Sequence, residues 1–374
     1  MRPVIWWFLR TRWVQFWHER RILIDLLPGV SDHSTEARCS GLGLRPRLMG
    51  PASVQTKPDR SSFRLMDKHL PRDLAGVFAA LPTPFVSRGD PDWQGLDALV
   101  DFGLERGLRG FCLGGATSEY LACSVEHRVE IFDRVSRRTN GRARLICAVG
   151  GEHAGQVKQL AHAAVNSGAI ALLLPPPAFL PYAQEHLVDF MAQVSADLPL
   201  PVLVYHIPQC TRDLGIANIL QLIATVPNII GLKDSSGERG NFAAIRHALA
   251  QTPMAFLIGS DDLLLEAFEH GAVGAISGIA SACPELILPL FEALRAGNSQ
   301  KARALQTDVD EFIRRAHDLP SPWAVKLALQ ARGLDVGTLA WPMGPNLSQE
   351  ARTFQDWFTG QIAAKAFSPL QPGS

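Results

Sequence analysis

From Gly76 onward the chain alternates short apolar runs, rich in β-branched residues, with longer stretches in which apolar positions recur at helical spacing. The runs are Val77–Leu81, Gly110–Leu113, Leu145–Val149, Ile170–Leu174, Val202–Ile207, Ile229–Leu232, Ala255–Ile258 and Val273–Ile276. Between them lie amphipathic segments at about 93–106, 124–139, 153–167, 183–196, 215–225, 239–250 and 262–270. Ser124, with Glu126 behind it, is a helix N-cap signal, and Asp261 or Asp262 offers one for the helix after the seventh run. Each connection is long enough to cross over and lay a helix on the sheet, so the strands are expected to be parallel. Eight such units predict an α/β fold that closes as a (β/α)8 TIM barrel. A doubly wound open sheet would want a Gly-rich phosphate turn after its first strand, where this chain has Pro82-Thr83-Pro84-Phe85.

Helical pattern continues past the eighth run at about 284–296, 299–317, 322–332 and 348–363. That is more than one closing helix, and it predicts a C-terminal helical extension, residues 283–374, packed on a barrel spanning 66–282. Residues 1–65 have a different texture. They hold Trp6, Trp7, Trp13 and Trp17, and eleven Lys/Arg against five Asp/Glu, followed by a Ser/Pro/Arg-rich stretch without clear period. A targeting peptide and a membrane-surface or partner-binding helix both suit parts of this segment. The plainest reading is translation from Met66, with the upstream residues a disordered or non-native extension.

Composition narrows the partners. Across 374 residues, Lys plus Arg and Asp plus Glu are each 36, so no global basic field points to nucleic acid. The six cysteines, at 39, 112, 123, 147, 210 and 283, show no metal-ligand spacing and read as reduced thiols. No apolar run reaches the roughly 18 residues of a membrane span. The expectation is a soluble, cytoplasmic protein with neither a metal nor a membrane partner.

Active sites of such barrels form at the C-terminal ends of the strands, which makes the polar residues there the candidates. The foremost is Lys233, set near the end of the apolar run in Pro227-Asn-Ile-Ile-Gly-Leu-Lys-Asp-Ser-Ser-Gly237. Burial of an ammonium favours the neutral amine, the species that attacks carbonyls. Strand alternation puts Ile229, Gly231 and Lys233 on one face and Leu203, Tyr205 and Ile207 on one face of the neighbouring strand. If both faces point inward, Gly231 leaves space beneath the lysine chain and Tyr205 falls within its reach, an amine and phenol suited to acid/base work. The strand-two turn Gly114-Gly115-Ala116-Thr117 supplies backbone N–H groups for a carboxylate. Taken singly, each has an ordinary alternative: an edge lysine reaching solvent, a buried tyrosine bonded to backbone, a capping threonine.

Gly231-Leu232-Lys233-Asp234, Tyr205-His206-Ile207-Pro208, Gly115-Ala116-Thr117-Ser118-Glu119 and Leu81-Pro82-Thr83-Pro84-Phe85 resemble the dihydrodipicolinate synthase / N-acetylneuraminate lyase family of class I aldolases, from about Gly76 to Leu347. The resemblance implies a (β/α)8 barrel, a homotetramer or homodimer, and a small-molecule 2-oxo acid held as a covalent imine on Lys233 without any cofactor. It implies a proton relay through Tyr205, and a carboxylate pocket formed by Gly115, Ala116, Thr117 and the main chain near Ile276. Departures accompany it. Ala116 stands where the family motif has a relay hydroxyl, and Pro176-Pro177-Ala178-Phe179 carries no second relay tyrosine, Tyr182 being nearest. Cys210 stands where synthases place a carboxylate-binding arginine, with Arg212 two residues on, and His206 replaces a frequent asparagine and faces away from Lys233.

These features predict a Schiff-base-forming lyase or aldolase acting on pyruvate or a 2-keto-3-deoxy sugar acid. A 4-hydroxy-tetrahydrodipicolinate synthase is the near alternative, and a non-catalytic ligand-binding paralogue belongs to another class. A phosphate-binding barrel would draw on Gly259-Ser260 and Gly278, where the loops offer few cations.

Overall fold

The structure, a computed structural model, describes residues 72–87, 89–178, 182–337, 339–340 and 345–363. The extension expected at residues 1–65 lies outside the described residues.

Eight parallel strands close into a barrel: β1 (Gly76–Ala80), β2 (Gly110–Leu113), β3 (Arg144–Ala148), β4 (Ala171–Leu174), β5 (Val202–His206), β6 (Ile229–Asp234), β7 (Ala255–Ile258) and β8 (Gly274–Ser277). Each pairs with its sequence neighbours, and β1 pairs with both β8 and β2 to complete the ring. Helices α1 (Trp93–Glu105), α2 (Val125–Thr139), α3 (Ala154–Asn166), α4 (Gln184–Ala196), α5 (Ile216–Thr225), α6 (Asn241–Leu249) and α7 (Leu264–Glu269) connect successive strands. This is the (β/α)8 barrel that the alternation predicts. The sequence pattern did not anticipate a small antiparallel hairpin, Phe85–Ser87 with Asp90–Pro91, between β1 and α1.

Two apolar layers result from the period-two strands. Phe78, Cys112, Ile146, Leu173, Leu203, Leu257 and Ile276 fill the barrel interior. Phe111, Leu145, Leu172, Val204, Leu232 and Phe256 point outward onto Leu99, Phe132, Leu160, Met191, Leu222 and Ile245 of the helices. Full burial of each such side chain contributes about 1.5–3 kcal/mol, so the closed ring is held mainly by these two layers.

Beyond β8 the chain forms the single turn α8 (Ile279–Ala282), then α9 (Pro284–Arg295), α10 (Ser299–Ala316), α11 (Trp323–Ala331) and α12 (Pro345–Ala363). Phe312 of α10 meets Phe354 edge-on at 5.5 Å and Phe358 at 6.1 Å, an aromatic seam between α10 and α12. Gln306 of α10 donates from Nε2 to the Asp261 carbonyl at 2.9 Å, tying the extension to the loop after β7. Barrel and extension form one compact unit.

Two local expectations are corrected. Ser124 does cap α2, accepting from the His127 N–H at 3.1 Å, but neither Asp261 nor Asp262 caps α7. Asp261 instead turns its carboxylate toward Ser277 and the Ile279 N–H, because the chain first makes a 3₁₀ turn, Asp261–Leu263. Ile229 does not share the face of Lys233. A register irregularity between Val202 and Leu203 sends Ile229 into the outer layer and leaves Ile230 against the inner one.

Candidate active site

Strands β5 and β6 bring the two foremost candidates together. Tyr205 and Lys233 are register partners, and the Lys233 Nζ stands 4.2 Å from the centroid of the Tyr205 ring. They are only 5% and 4% exposed, so the amine has left bulk water and rests on the face of the phenol. Tyr205 belongs to the barrel-interior layer, as alternation predicts.

The room for the lysine comes from Gly259, which the sequence suggested only as part of a phosphate loop. A Cβ at Gly231 would meet the Ala255 carbonyl oxygen at 2.0 Å, so that glycine serves close approach of β6 to β7 and not space under Lys233. A Cβ at Gly259, just past β7, would stand 2.5 Å from Lys233 Cε and 2.0 Å from Ser235 Oγ. Gly259 is therefore the residue that lets both side chains occupy the cavity. The Ser235 hydroxyl is buried and has no hydrogen-bond partner among the described residues.

The turn after β2 is built by its own side chains. Gly114 takes a left-handed φ of 71°, and its N–H donates to Ser118 Oγ at 3.0 Å, while that hydroxyl donates to the Leu81 carbonyl at 2.6 Å. Thr83 donates to the Ser118 carbonyl at 2.8 Å. The 3₁₀ turn Ala116–Ser118 uses the N–H groups of Ser118 and Glu119 internally, leaving those of Ala116 and Thr117 at its head. A Cβ at Gly115 would meet nothing within 4 Å, so the chain is open to the cavity there. Glu119, with a left-handed φ of 50°, pairs with Lys326 of α11 in a buried contact and accepts from the Ala340 N–H at 3.0 Å.

These parts line one cavity of about 790 Å³, which holds Gly115, Ala116, Thr117, Tyr205, Lys233 and Ile276 together. Thr117 also faces Gly278, whose Cβ position is 3.5 Å from its hydroxyl. Sequence reasoning placed Ser235 and Gly259 at the ends of their strands without a part in seating the lysine, and missed Tyr120, Gln209 and the wall contributed by Phe312, Ile313 and Trp323 of the extension. Serine two residues past Lys233 was visible as the next inward position; the wall had no signal, because it depends on how the extension packs. Burial pushes the Asp261 carboxyl up to about 6, against the hydrogen bonds from Ser277 and the Ile279 N–H.

The substituted positions fall in different places. Ala116 and Cys210 line the cavity, whereas Arg212, Ala178 and Tyr182 are not among its lining residues. His206 lies behind the site, its Nδ1 3.0 Å from Asp234 and its Nε2 3.3 Å from Asp213. Its burial opposes protonation, but the two carboxylates prevail and raise its pKa; Asp234 is lowered in turn, burial notwithstanding, by His206 and the Ser236 amide. Among the described residues, no group of three or more His, Cys, Asp or Glu could hold a metal, and no helix is long and apolar enough to cross a membrane.

A closed parallel barrel with a buried lysine at the C-terminal end of its sixth strand defines a class of protein. Residues 73–359 match the model of the dihydrodipicolinate synthetase family, and the chain belongs to that family. It is 28% identical over 281 residues to 4-hydroxy-tetrahydrodipicolinate synthase of Bacillus subtilis (strain 168), covering 74% of this chain and 96% of the relative. It is 32% identical over 262 residues to the enzyme of that name from Pseudomonas putida (strain W619), covering 70% and 89%. Among solved structures, the chloride-inhibited dihydrodipicolinate synthase from Acinetobacter baumannii complexed with pyruvate superposes with a TM-score of 0.70 at 28% identity, covering 77% of this chain and 99% of that one. A Clostridium difficile protein, CdNal, solved with mannosamine, shares the fold at 20% identity and a TM-score of 0.70, covering 76% and 99%.

Proposed function

We propose that the chain is an imine-forming lyase acting on pyruvate or a 2-keto-3-deoxy sugar acid. The observation that carries this reading is a buried amine, Lys233, against the phenol of Tyr205 in a cavity that also holds the Ser235 hydroxyl, without a hydrogen-bond partner among the described residues. A buried hydroxyl without a partner favours a substrate bearing its own hydroxyl groups.

The chemistry runs on the chain's own residues. Neutral Lys233 Nζ adds to the C2 carbonyl, and loss of water leaves an iminium. For cleavage, the Tyr205 oxygen accepts the proton of the C4 hydroxyl while its own proton passes toward solvent, and the C3–C4 bond breaks; the bond's electrons pass into the iminium, giving an enamine and an aldehyde. Protonation at C3 and addition of water then free pyruvate and the amine. The substrate carboxylate is assigned to the Ala116 and Thr117 N–H groups, beside Gly115 and Ile276. No metal or organic cofactor enters these steps.

The second reading is the synthase reaction named in the B. subtilis and P. putida relatives. Cys210 at the cavity mouth, where the family resemblance calls for an arginine, disfavours a second substrate bearing its own carboxylate.

Borohydride trapping tests the proposal. Intact protein treated with borohydride and either pyruvate or a 2-keto-3-deoxy sugar acid should gain the mass of the reduced adduct on the peptide containing Lys233, and Lys233→Ala should gain none. No adduct with either compound would leave a ligand-binding paralogue instead of an enzyme.

A further inference from the structure

We propose that Tyr120 is a second phenol of the lysine site, a positioning residue that acts through Tyr205 by carrying protons between it and solvent. The inference rests on the imine-forming reading above and extends it to a residue in the same chain.

Tyr120 follows the left-handed Glu119, which Lys326 and the Ala340 N–H hold, so the direction of the chain at residue 120 is fixed. Its ring lies over the guanidinium of Arg128, 4.8 Å from the centroid. Arg128 is itself buried and anchored, donating to the Gly150 carbonyl at 2.6 Å and the Ala148 carbonyl at 2.9 Å. A Cβ at Gly150 would stand 3.5 Å from the Tyr120 hydroxyl, placing that hydroxyl above the end of β3. Tyr120, Tyr205 and Lys233 line one cavity, and Leu121 beside Tyr120 is 72% exposed at its mouth. Tyr120 therefore connects the cavity with water.

Burial raises the Tyr120 pKa and Arg128 opposes that rise. The cation under the ring favours negative charge on the phenol oxygen as a proton passes. No direct hydrogen bond joins the two hydroxyls among the described contacts, so a water or a substrate hydroxyl spans them. In enamine formation, the Tyr205 oxygen accepts the C3 proton as its own proton passes to the bridging hydroxyl. That group passes one to Tyr120, and Tyr120 releases one to solvent. Each oxygen ends with the proton count it began with, and one proton has moved from C3 to water.

Tyr120→Phe keeps the ring on Arg128 and removes only the hydroxyl. Pyruvate alone is the probe, with borohydride trapping to count imine and deuterium incorporation at C3 in D2O, followed by NMR, to count proton transfer. The full-length variant should trap imine at saturating pyruvate within twofold of wild type, which also reports that it is folded. Its exchange rate should fall tenfold or more, and the pH profile of exchange should shift. Trapping at wild-type level with exchange within twofold and an unchanged pH profile would overturn the role of Tyr120 alone. Absence of trapping in the wild-type protein would overturn the lysine reading and this inference together.

Discussion

Gly259 stands so close to Lys233 that a Cβ there would lie 2.5 Å from the lysine Cε, and 2.0 Å from Ser235 Oγ. No flexible surface chain absorbs that overlap, since both neighbours are buried. Gly259→Ala is therefore expected to push the lysine off the Tyr205 ring with little change in the barrel layers. The rate of imine trapping with pyruvate should fall about 10²-fold, the scale of misplacing a reacting group by an ångström. Thermal unfolding should stay cooperative. Unchanged trapping in this variant would mean the lysine reacts from another position.

Tyr205→Phe separates the two roles of the phenol. The ring under the Lys233 ammonium or amine remains, and the hydroxyl is lost. Turnover of a substrate found by the trapping assay should drop by ~10²-fold or more, as for removal of a positioned acid/base group. Near-full kcat would take Tyr205 out of proton transfer and leave it as packing.

Much of this was legible in the order of residues, and the boundary is physical. Strand–helix alternation follows from local hydrophobic period, so the eight strands and the face carrying Tyr205 could be read directly. Lys233 stood out because a cation in an apolar run is expensive. Ile229 escaped because the register irregularity at Val202 comes from pairing between strands. The part of Gly259 in seating the lysine and the Phe312–Trp323 wall escaped because closeness across the barrel mouth has no period in the sequence. Tyr120 escaped because the order of residues does not tell which side chains of the irregular turns after β2 enter the cavity.

The His206–Asp234 contact gives a signed pH dependence. The raised His206 pKa means that its charged form stabilises the fold fully below the ordinary histidine value and that this contribution is lost as pH rises through the raised one. Asp234, lowered, contributes above the ordinary carboxylate value and loses its contribution as pH falls through its own. The pair is therefore strongest between about pH 4 and 6.5. His206→Gln should destabilise more at pH 6 than at pH 9, read from urea unfolding at the two pH values. An equal loss at both would mean that His206 stays neutral throughout.

Glu119 and Lys326 join the turn after β2 to α11 through a pair whose side chains are 6% and 2% exposed. Lys326 also rests on the Phe85 ring, its Nζ 4.5 Å from the centroid, and burial lowers its pKa although Glu119 opposes the shift. Removing one partner of a buried pair costs up to about 3–5 kcal/mol, whereas replacing both by apolar side chains of similar volume is often near neutral. Glu119→Leu should thus unfold at markedly lower urea than wild type, and Lys326→Met added to it should restore most of the loss. The double variant should nevertheless trap imine more slowly, because Glu119 also accepts from the Ala340 N–H and sets the left-handed step that orients the Ala116–Thr117 amides. If stability and trapping recovered together, the pair would matter to the fold alone; recovery of stability without trapping would assign it to the shape of the cavity.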